Sequence, residues 1–305
     1  MKVLLILNPG SRAGRGRSLW TFWQERLHAA GVSCRAAVTE RPEDALTFAR
    51  DARDCDAVVA VGGDGTINRV LDGVLQSGRP DLRLGVLYRG TSPDFCRFHG
   101  IPVDPQRAIA ALLAGRTRAV DALRVRYRDR SGQPLTAHVG CGLNVGLGAG
   151  VARLANRLRP FMGDRPGTGL AALWQVLARR AATVDIEVDG AALPLRQVTN
   201  LSVLKSPFIA SGLRVALGLE PADGRLAVLA VPACGLLHRC RRLAGFYSGA
   251  IAHDPGVLRR EGTRVSLRAT GPQELEFDGD PRGWLPADIE VLPRAVHLIV
   301  PETPP

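Results

Sequence analysis

The stretch that most constrains this chain is Val58 to Leu75, VVAVGGDGTINRVLDGVL. Ala57 to Val61 reads as a buried strand and Gly62-Gly63-Asp64-Gly65 as a turn. A helix then opens at Thr66, with Ile67, Val70, Leu71, Val74 and Leu75 on one apolar face. Glycines let a ligand approach the main chain, and the bare N–H groups at a helix start favour an anion. The turn therefore suits phosphate. Asp64 conflicts with that, because a bare carboxylate repels phosphate; a metal ion, a water or a sugar hydroxyl between the two resolves the conflict. The spacing is neither GxGxxG nor the GxxxxGK(S/T) of a P-loop, and a tight turn with no ligand fits the same residues.

Strand and helix alternate on both sides of this stretch. Lys2 to Leu7 is a short apolar strand, followed by the basic glycine-rich loop Asn8 to Gly16 with Arg12, Arg15 and Arg17 in or beside it. That loop suits phosphate or is simply a solvated loop. A helix carries Leu19, Trp20, Phe22, Trp23 and Leu27 inward. Val32 to Val38 is the next strand, ending at Thr39-Glu40, and Pro42 opens another helix. Leu84 to Tyr88 is a fourth strand, and Asp104-Pro105 caps a helix that ends at Gly115. Such alternation predicts right-handed crossovers and a parallel sheet, with ligands beyond the carboxyl ends of the strands, where Asn8, Thr39 and Gly62 stand.

From Asp121 the period changes. Leu123, Val125 and Tyr127 alternate with Arg124, Arg126 and Arg128, the mark of a half-buried strand. Two helical segments follow at about 151–159 and 167–182. In the second, Leu170, Leu173, Trp174 and Leu177 share a face. Strand candidates then run at Val184 to Val188, Arg196 to Leu204, Leu226 to Val231, Arg264 to Ala269, Glu274 to Phe277 and Ala295 to Val300. The expected architecture is an α/β N-terminal domain with a Rossmann-like parallel sheet, residues 1–120, and a mainly antiparallel β-sandwich C-terminal domain, residues 121–305. The last strand is free to return toward the first domain.

Composition narrows the partners. The net charge is +11, and only Lys2 and Lys205 are lysines, so the charge is nearly all arginine. A basic surface suits an anionic membrane, a phosphorylated ligand or nucleic acid. Aromatics are only 5% and do not interleave with basic residues, which argues against nucleic acid. The six cysteines form no CxxC pair and read as buried free thiols in a reducing compartment, hence a cytoplasmic protein. The histidines form no zinc pattern. Val3 to Leu7 is too short for a signal or a span, so any membrane contact is peripheral.

Gly62-Gly63-Asp64-Gly65-Thr66-Ile67-Asn68 resembles the GGDGT signature of the diacylglycerol kinase catalytic-domain superfamily, which includes bacterial soluble lipid kinases and sphingosine and ceramide kinases. The resemblance extends over nearly the whole chain. Asn8 to Gly14 is similar to the family's NPxSG opening. Gly90, Thr91, Asp94, Phe95, Arg97, Gly100, Ile101 and Pro102 match its second signature, GTxNDFAR…GIP. Asp288 to Val296, DIEVLPRAV, follows the frame of its last strand. Asp278-Gly279-Asp280 is first a hairpin signal. In the family this place carries DGE, which puts the family's proposed general base at Asp280, one methylene shorter than glutamate and so displaced by about 1.5 Å.

The resemblance implies an ATP- and Mg2+-dependent kinase acting on a lipid hydroxyl, diacylglycerol-like or sphingoid, at the membrane surface, and leaves a homodimer open. Asn8, Thr39, Gly62, Gly63, Asp64, Gly65, Thr66, Ile67, Asn68 and Thr91 would surround the nucleotide. Asp64 would organise metal and phosphate, and Asp280 would take the proton. Glu220, Asp223 and Arg225 would hold a structural magnesium ion through one carboxylate and two carbonyls. Three positions depart from the pattern: Arg69 for glutamate, Pro93 for asparagine and Asp280 for glutamate. These departures keep two alternatives in view, a kinase of the same fold for another alcohol and a nucleotide- or lipid-binding protein without phosphotransfer.

Overall fold

The computed structural model describes residues 1–9, 16–90, 92–178, 181–209 and 213–302. The glycine-rich loop at 10–15, with Arg12 and Arg15, and Thr91 lie outside the described residues. The chain divides into two compact units, Met1–Ala122 with Pro293–Pro305, and Leu123–Leu292.

The first unit contains β1 (Lys2–Leu7), α1 (Gly16–Ala29), β2 (Ser33–Val38), α2 (Asp44–Arg50), β3 (Ala57–Gly62), α3 (Asp64–Gln76), β4 (Arg83–Tyr88), α4 (Asp94–His99), α5 (Pro105–Ala114) and the start of β5 (Thr117–Asp129). β1 pairs in parallel with β2 and β3, and β3 pairs in parallel with β4. All six residues of β3 are buried, so its AVVAVG run needs no polar face. Val3, Leu5, Trp23, Leu27, Val59, Val61, Leu87 and Leu112 build one core with Ile299. α5 is bounded as its sequence implies: Asp104 accepts from the N–H groups of Gln106 and Arg107, and Gly115 closes the helix with φ +65°.

The second unit runs through β6 (Pro134–Val139), β7 (Gly142–Gly146), α6 (Leu147–Met162), α7 (Asp164–Ala178), β8 (Ala182–Val188), β9 (Ala191–Ala192), β10 (Gln197–Leu204), β11 (Phe208–Ile209), β12 (Leu213–Arg214), β13 (Leu226–Pro232), α8 (Leu236–Ser248), β14 (Leu258–Gly262), β15 (Arg264–Ala269), β16 (Glu274–Phe277) and β17 (Asp280–Ile299). The pairs β5–β6, β7–β10, β10–β13, β13–β14, β8–β15, β15–β17, β7–β16 and β16–β17 are all antiparallel. Alternate residues of these strands meet in one core, where the Tyr127 ring stands edge-on to Phe277 at 5.0 Å. From Pro293 onward β17 belongs to the first unit, where His297 and Leu298 pair in parallel with Arg83 and Leu84 of β4.

The structure adds to the sequence reading in three places and corrects it at the cysteines. β17 is one strand of 20 residues, where the sequence reading began its last strand candidate only at Ala295. α8 falls between the Leu226 to Val231 and Arg264 to Ala269 strand candidates, where the sequence reading placed no element. The shared face of Leu170, Leu173, Trp174 and Leu177 on α7 points to solvent, and the helix packs on Ala171, Ala172 and Val176 instead. Of the cysteines, Cys55, Cys96 and Cys141 are buried but Cys240 is exposed.

Candidate active site

The glycine signature stands where β3 ends. α3 begins at Asp64, two residues before the sequence reading, with Gly63 as its N-cap. The Gly63 carbonyl accepts the N–H groups of Thr66 and Ile67 at 2.9 and 3.0 Å. The N–H groups ahead of them, at Asp64 and Gly65, have no carbonyl of their own helix to reach. A side chain on Gly62 would strike Thr66 Oγ1 at 2.5 Å, and one on Gly90 would strike Gly63 Cα at 2.6 Å. The two signature turns therefore lie backbone against backbone, joined by Arg89 N–H donating to the Gly62 carbonyl at 2.7 Å. A side chain on Gly65 would meet nothing within 4 Å. The bareness of Gly65 is thus not a packing requirement.

Asn8 and Thr39 join this corner. Asn8 N–H donates to the Val61 carbonyl at 3.1 Å and its Nδ2 donates to Thr66 Oγ1 at 3.0 Å. Thr39 donates both N–H and Oγ1 to the Leu7 carbonyl. Ile67 and Asn68 are buried, so the Ile67 side chain serves the core of the unit. Arg69, the departure from the family's glutamate, is also buried and reaches Glu43 at 3.3 Å. Pro93 is the N-cap of α4.

The half-buried carboxylate of Asp64 turns toward the second signature. It accepts from Phe95 N–H at 3.2 Å and from the Tyr88 hydroxyl at 3.4 Å. Burial, and then the charge of Asp94, push its pKa from 3.8 to about 7 against those bonds. Burial and the Asp64 charge likewise raise the Tyr88 hydroxyl and the Cys96 thiol. Asp94 accepts from Ser92 Oγ at 3.0 Å and lies 3.7 Å from Arg97. Tyr88 was not singled out by sequence reasoning; its place at a strand end beside the signature is the signal that was available.

The second unit carries its own polar cluster. Asp278 and Gly279 form the two-residue turn between β16 and β17, with φ +47° and +89°. Asp278 accepts from the N–H groups of Gly142 at 2.9 Å and Cys141 at 3.3 Å, so its carboxylate secures the turn. Asp280, half-buried at the start of β17, accepts from Arg282 Nε at 2.8 Å. Behind the turn, the buried Glu276 accepts from Gly279 N–H and from Asn144 Nδ2, the latter at 2.7 Å. Asn144 Oδ1 accepts from Ser202 Oγ at 2.6 Å. Asn200 Nδ2 donates to that hydroxyl, and Asn200 Oδ1 accepts from Gly148 N–H. Burial, with a smaller contribution from Asp280, raises Glu276 to about 7. Asn200, Ser202 and Glu276 escaped the sequence reading; polar residues at inward positions of otherwise apolar strands mark them.

The residues assigned to a structural magnesium ion do come together, but around an ammonium group. Lys205 Nζ, fully buried, donates to the Glu220 carbonyl at 2.7 Å, to Asp223 Oδ1 at 2.5 Å and to the Arg225 carbonyl at 3.0 Å. Asp223 also accepts from the N–H groups of Glu220 and Arg225. Burial pushes its pKa up, but the Lys205 bond and these N–H groups outweigh burial and hold it below the usual carboxylate range. Magnesium demands six oxygens near 2.1 Å. A lysine that already fills the centre of the set leaves no room for the ion, so the three residues do not fit that metal here. Among the described residues no cluster of three or more His, Cys, Asp or Glu side chains could hold one either.

A helix start with bare backbone, seated on a second glycine turn at the ends of parallel strands, defines an α/β enzyme built to handle phosphate. Residues 2–125 match the diacylglycerol kinase catalytic domain, and residues 142–300 match the YegS C-terminal NAD kinase beta sandwich-like domain. The chain belongs to this family of diacylglycerol kinase-like enzymes, phosphotransferases with an alcohol group as acceptor. It is 26% identical to a diacylglycerol kinase of Bacillus subtilis (strain 168), over 99% of this chain and 97% of that protein. It is 25% identical to one of Mycobacterium tuberculosis (strain ATCC 25618 / H37Rv), over 98% and 95%. In fold it is similar to the crystal structure of a diacylglycerol kinase from Bacillus anthracis str. Sterne, with a TM-score of 0.72, 18% identity, and 100% and 98% of the two chains covered. It is also similar in fold to yeast NADH kinase complexed with NADH, with a TM-score of 0.56, 13% identity, and 99% and 84% covered.

Proposed function

We propose that the protein is an ATP- and Mg2+-dependent lipid kinase that phosphorylates a hydroxyl of a diacylglycerol-like or sphingoid acceptor. The observation that carries this reading is the bare Gly65 at the start of α3, packed by nothing and flanked by glycines that packing does require. Phosphoryl transfer asks a protein for a phosphate cradle, charge neutralisation and an oriented hydroxyl. In this reading the parallel sheet is the Rossmann-like nucleotide half. The Asp64 and Gly65 N–H groups cradle the phosphates, and Asn8, Thr39 and Thr91 surround the nucleotide.

Magnesium, when bound with the nucleotide, supplies the neutralising charge. Asp64 and Asp94 are the carboxylates that would hold it; burial first and the Asp94 charge second raise Asp64, and a cation there would offset both. Asp280 takes the proton from the acceptor hydroxyl as its oxygen attacks the γ-phosphorus and ADP leaves. Arg282 fixes the orientation of that carboxylate. In this reading the acceptor lies in a bilayer that the protein meets at its surface; no helix of the described residues is long and apolar enough to cross a membrane.

Transfer of labelled phosphate from ATP to a panel of diacylglycerols, sphingoid bases and soluble alcohols tests the reading. Label in a lipid phosphate supports it. Label only in a soluble alcohol moves the protein to another acceptor, and ATP binding with no transfer to any acceptor overturns the kinase assignment.

A further inference from the structure

The helical hairpin of the second unit is built with its bulk outward. α7 buries Gly167, Ala171, Ala172 and Val176. It exposes Leu170, Leu173, Trp174 and Leu177, which stand at i, i+3, i+4 and i+7 and are 44%, 49%, 59% and 50% exposed. An amphipathic helix of a soluble protein normally turns that stripe toward its core. At the end of α6, Phe161 is 88% exposed and Met162 44%. Scattered exposed leucines need no explanation, but three leucines and a tryptophan exposed along one helix face, with an exposed phenylalanine on the partner helix, mark an interaction surface.

Charge says what covers it. Residues 147–180 contain six arginines (153, 157, 159, 165, 179 and 180) and one acid, Asp164. Arg157 of α6 is exposed, and Arg153, about half exposed, lies 3.6 Å from the Glu274 carboxylate. A second copy of this chain would bring arginine-rich segments together, and like charges oppose that. An anionic lipid surface offers phosphates to the arginines and an apolar layer to the stripe, and Trp is at home where the two meet.

We propose that the outer face of the α6–α7 hairpin is the membrane-docking surface, with Phe161, Leu173 and Trp174 seated at the headgroup level of an anionic bilayer. The inference deepens the lipid-kinase reading, because an acceptor embedded in a bilayer is reached only by a protein that sits on it.

Sedimentation with vesicles of phosphatidylcholine, with and without phosphatidylglycerol, tests the proposal on the full chain. The wild type should bind the anionic vesicles, less so as salt rises. Its tryptophan emission should shift to the blue, and Trp174→Phe should remove most of that shift. Leu173→Glu combined with Trp174→Glu should weaken binding roughly 10-fold or more, since burying one large apolar side chain is already enough for that factor. Both residues are exposed, so the fold should survive; Phe161→Glu, at the helix end, is the second variant and should act in the same direction.

Transfer to a short-chain, water-soluble diacylglycerol should be unaffected in these variants, while transfer to long-chain lipid in vesicles falls. Vesicle binding that the variants lose, in a protein without kinase activity on either lipid, would remove the enzymatic reading and leave the docking surface standing. Wild-type vesicle binding by both variants would overturn the docking surface whatever the activity. A wild-type dimer that the variants abolish, without any change in vesicle binding, would overturn it equally and make the stripe a self-contact.

Discussion

Lys205 Nζ, fully buried, lies 2.5 Å from Asp223 Oδ1 of a largely covered carboxylate, and the carbonyls of Glu220 and Arg225 complete its shell. A covalently attached ammonium supplies here the positive charge that a divalent cation would otherwise bring, without depending on free metal. Chelation should therefore leave the melting temperature of this protein unchanged. Lys205→Met removes one partner of a buried pair and should cost about 3–5 kcal/mol. Millimolar Mg2+ or Ca2+ should recover part of that loss in the variant alone. A wild-type protein that melts earlier in EDTA, or is stabilised by these ions without nucleotide, would contradict the finding.

Asp64 makes the stability of the first unit depend on pH in an unusual direction. Its folded-state pKa of about 7 lies above its ordinary 3.8. Between those values the folded form keeps a proton that the unfolded chain has released. The contribution is therefore full below about pH 4 and is lost as pH rises through 7. Asp64→Asn preserves the acceptor for Phe95 N–H and lets the Tyr88 oxygen accept. It should melt roughly 3 °C above wild type at pH 8, the effect of about 1 kcal/mol in a domain of this order. The two curves should converge near pH 4, and phosphotransfer should be lost throughout. A turn carboxylate free of tertiary contacts would give an unchanged melting temperature, and equal melting at pH 8 would show that burial does not penalise the charge.

Two glycines separate packing from ligand approach. Gly90→Ala places a methyl group against Gly63 Cα and the Tyr88 hydroxyl, and should cost about 1–3 kcal/mol as overpacking does. Gly65→Ala meets nothing and should leave the melting temperature unchanged. If nucleotide phosphates approach the backbone there, Gly65→Ala should still raise the KM for ATP by roughly 10-fold, a 1.4 kcal/mol penalty. An unaltered KM would place the phosphates elsewhere.

What the sequence disclosed divides along the same line. The fully apolar AVVAVG run, the glycine turn and the Asp104-Pro105…Gly115 caps are local signals, and each appears where its residues imply. The surroundings of Asp64 were hidden because Tyr88 and Phe95 reach it from 24 and 31 residues away. The Glu276–Asn144–Ser202 chain joins three strands whose pairing no periodicity announces. Lys205 did carry a hint: it is one of only two lysines in an arginine-rich chain, and it stands where the shell of three oxygens suits a compact ammonium better than a planar guanidinium. The α7 stripe was legible as a helix face, but periodicity gives the face and not its direction, and here the small residues face inward.

The last expectation concerns Asp280 and the residue that holds it. If Asp280 is the base, Asp280→Asn should lower kcat by roughly 10²–10⁴-fold with ATP affinity nearly constant. Arg282 Nε reaches its Oδ2 at 2.8 Å, so the pair is fitted to an aspartate. Asp280→Glu extends the side chain by about 1.5 Å, past that contact, and catalytic groups tolerate little more than 1 Å of displacement. Restoring the family's usual glutamate should therefore lower kcat rather than raise it. Arg282→Gln should lower kcat in the same way, because it releases the carboxylate, with the KM for ATP nearly constant, a split that a purely structural arginine would not give. Coupling of the two changes is the decisive measurement. If Arg282 acts only by positioning Asp280, the double variant Asp280→Asn, Arg282→Gln should be no slower than Asp280→Asn alone. Fully additive losses would give Arg282 a separate task, and an active Asp280→Asn enzyme would return Asp278-Gly279-Asp280 to a hairpin turn and place the base on another residue.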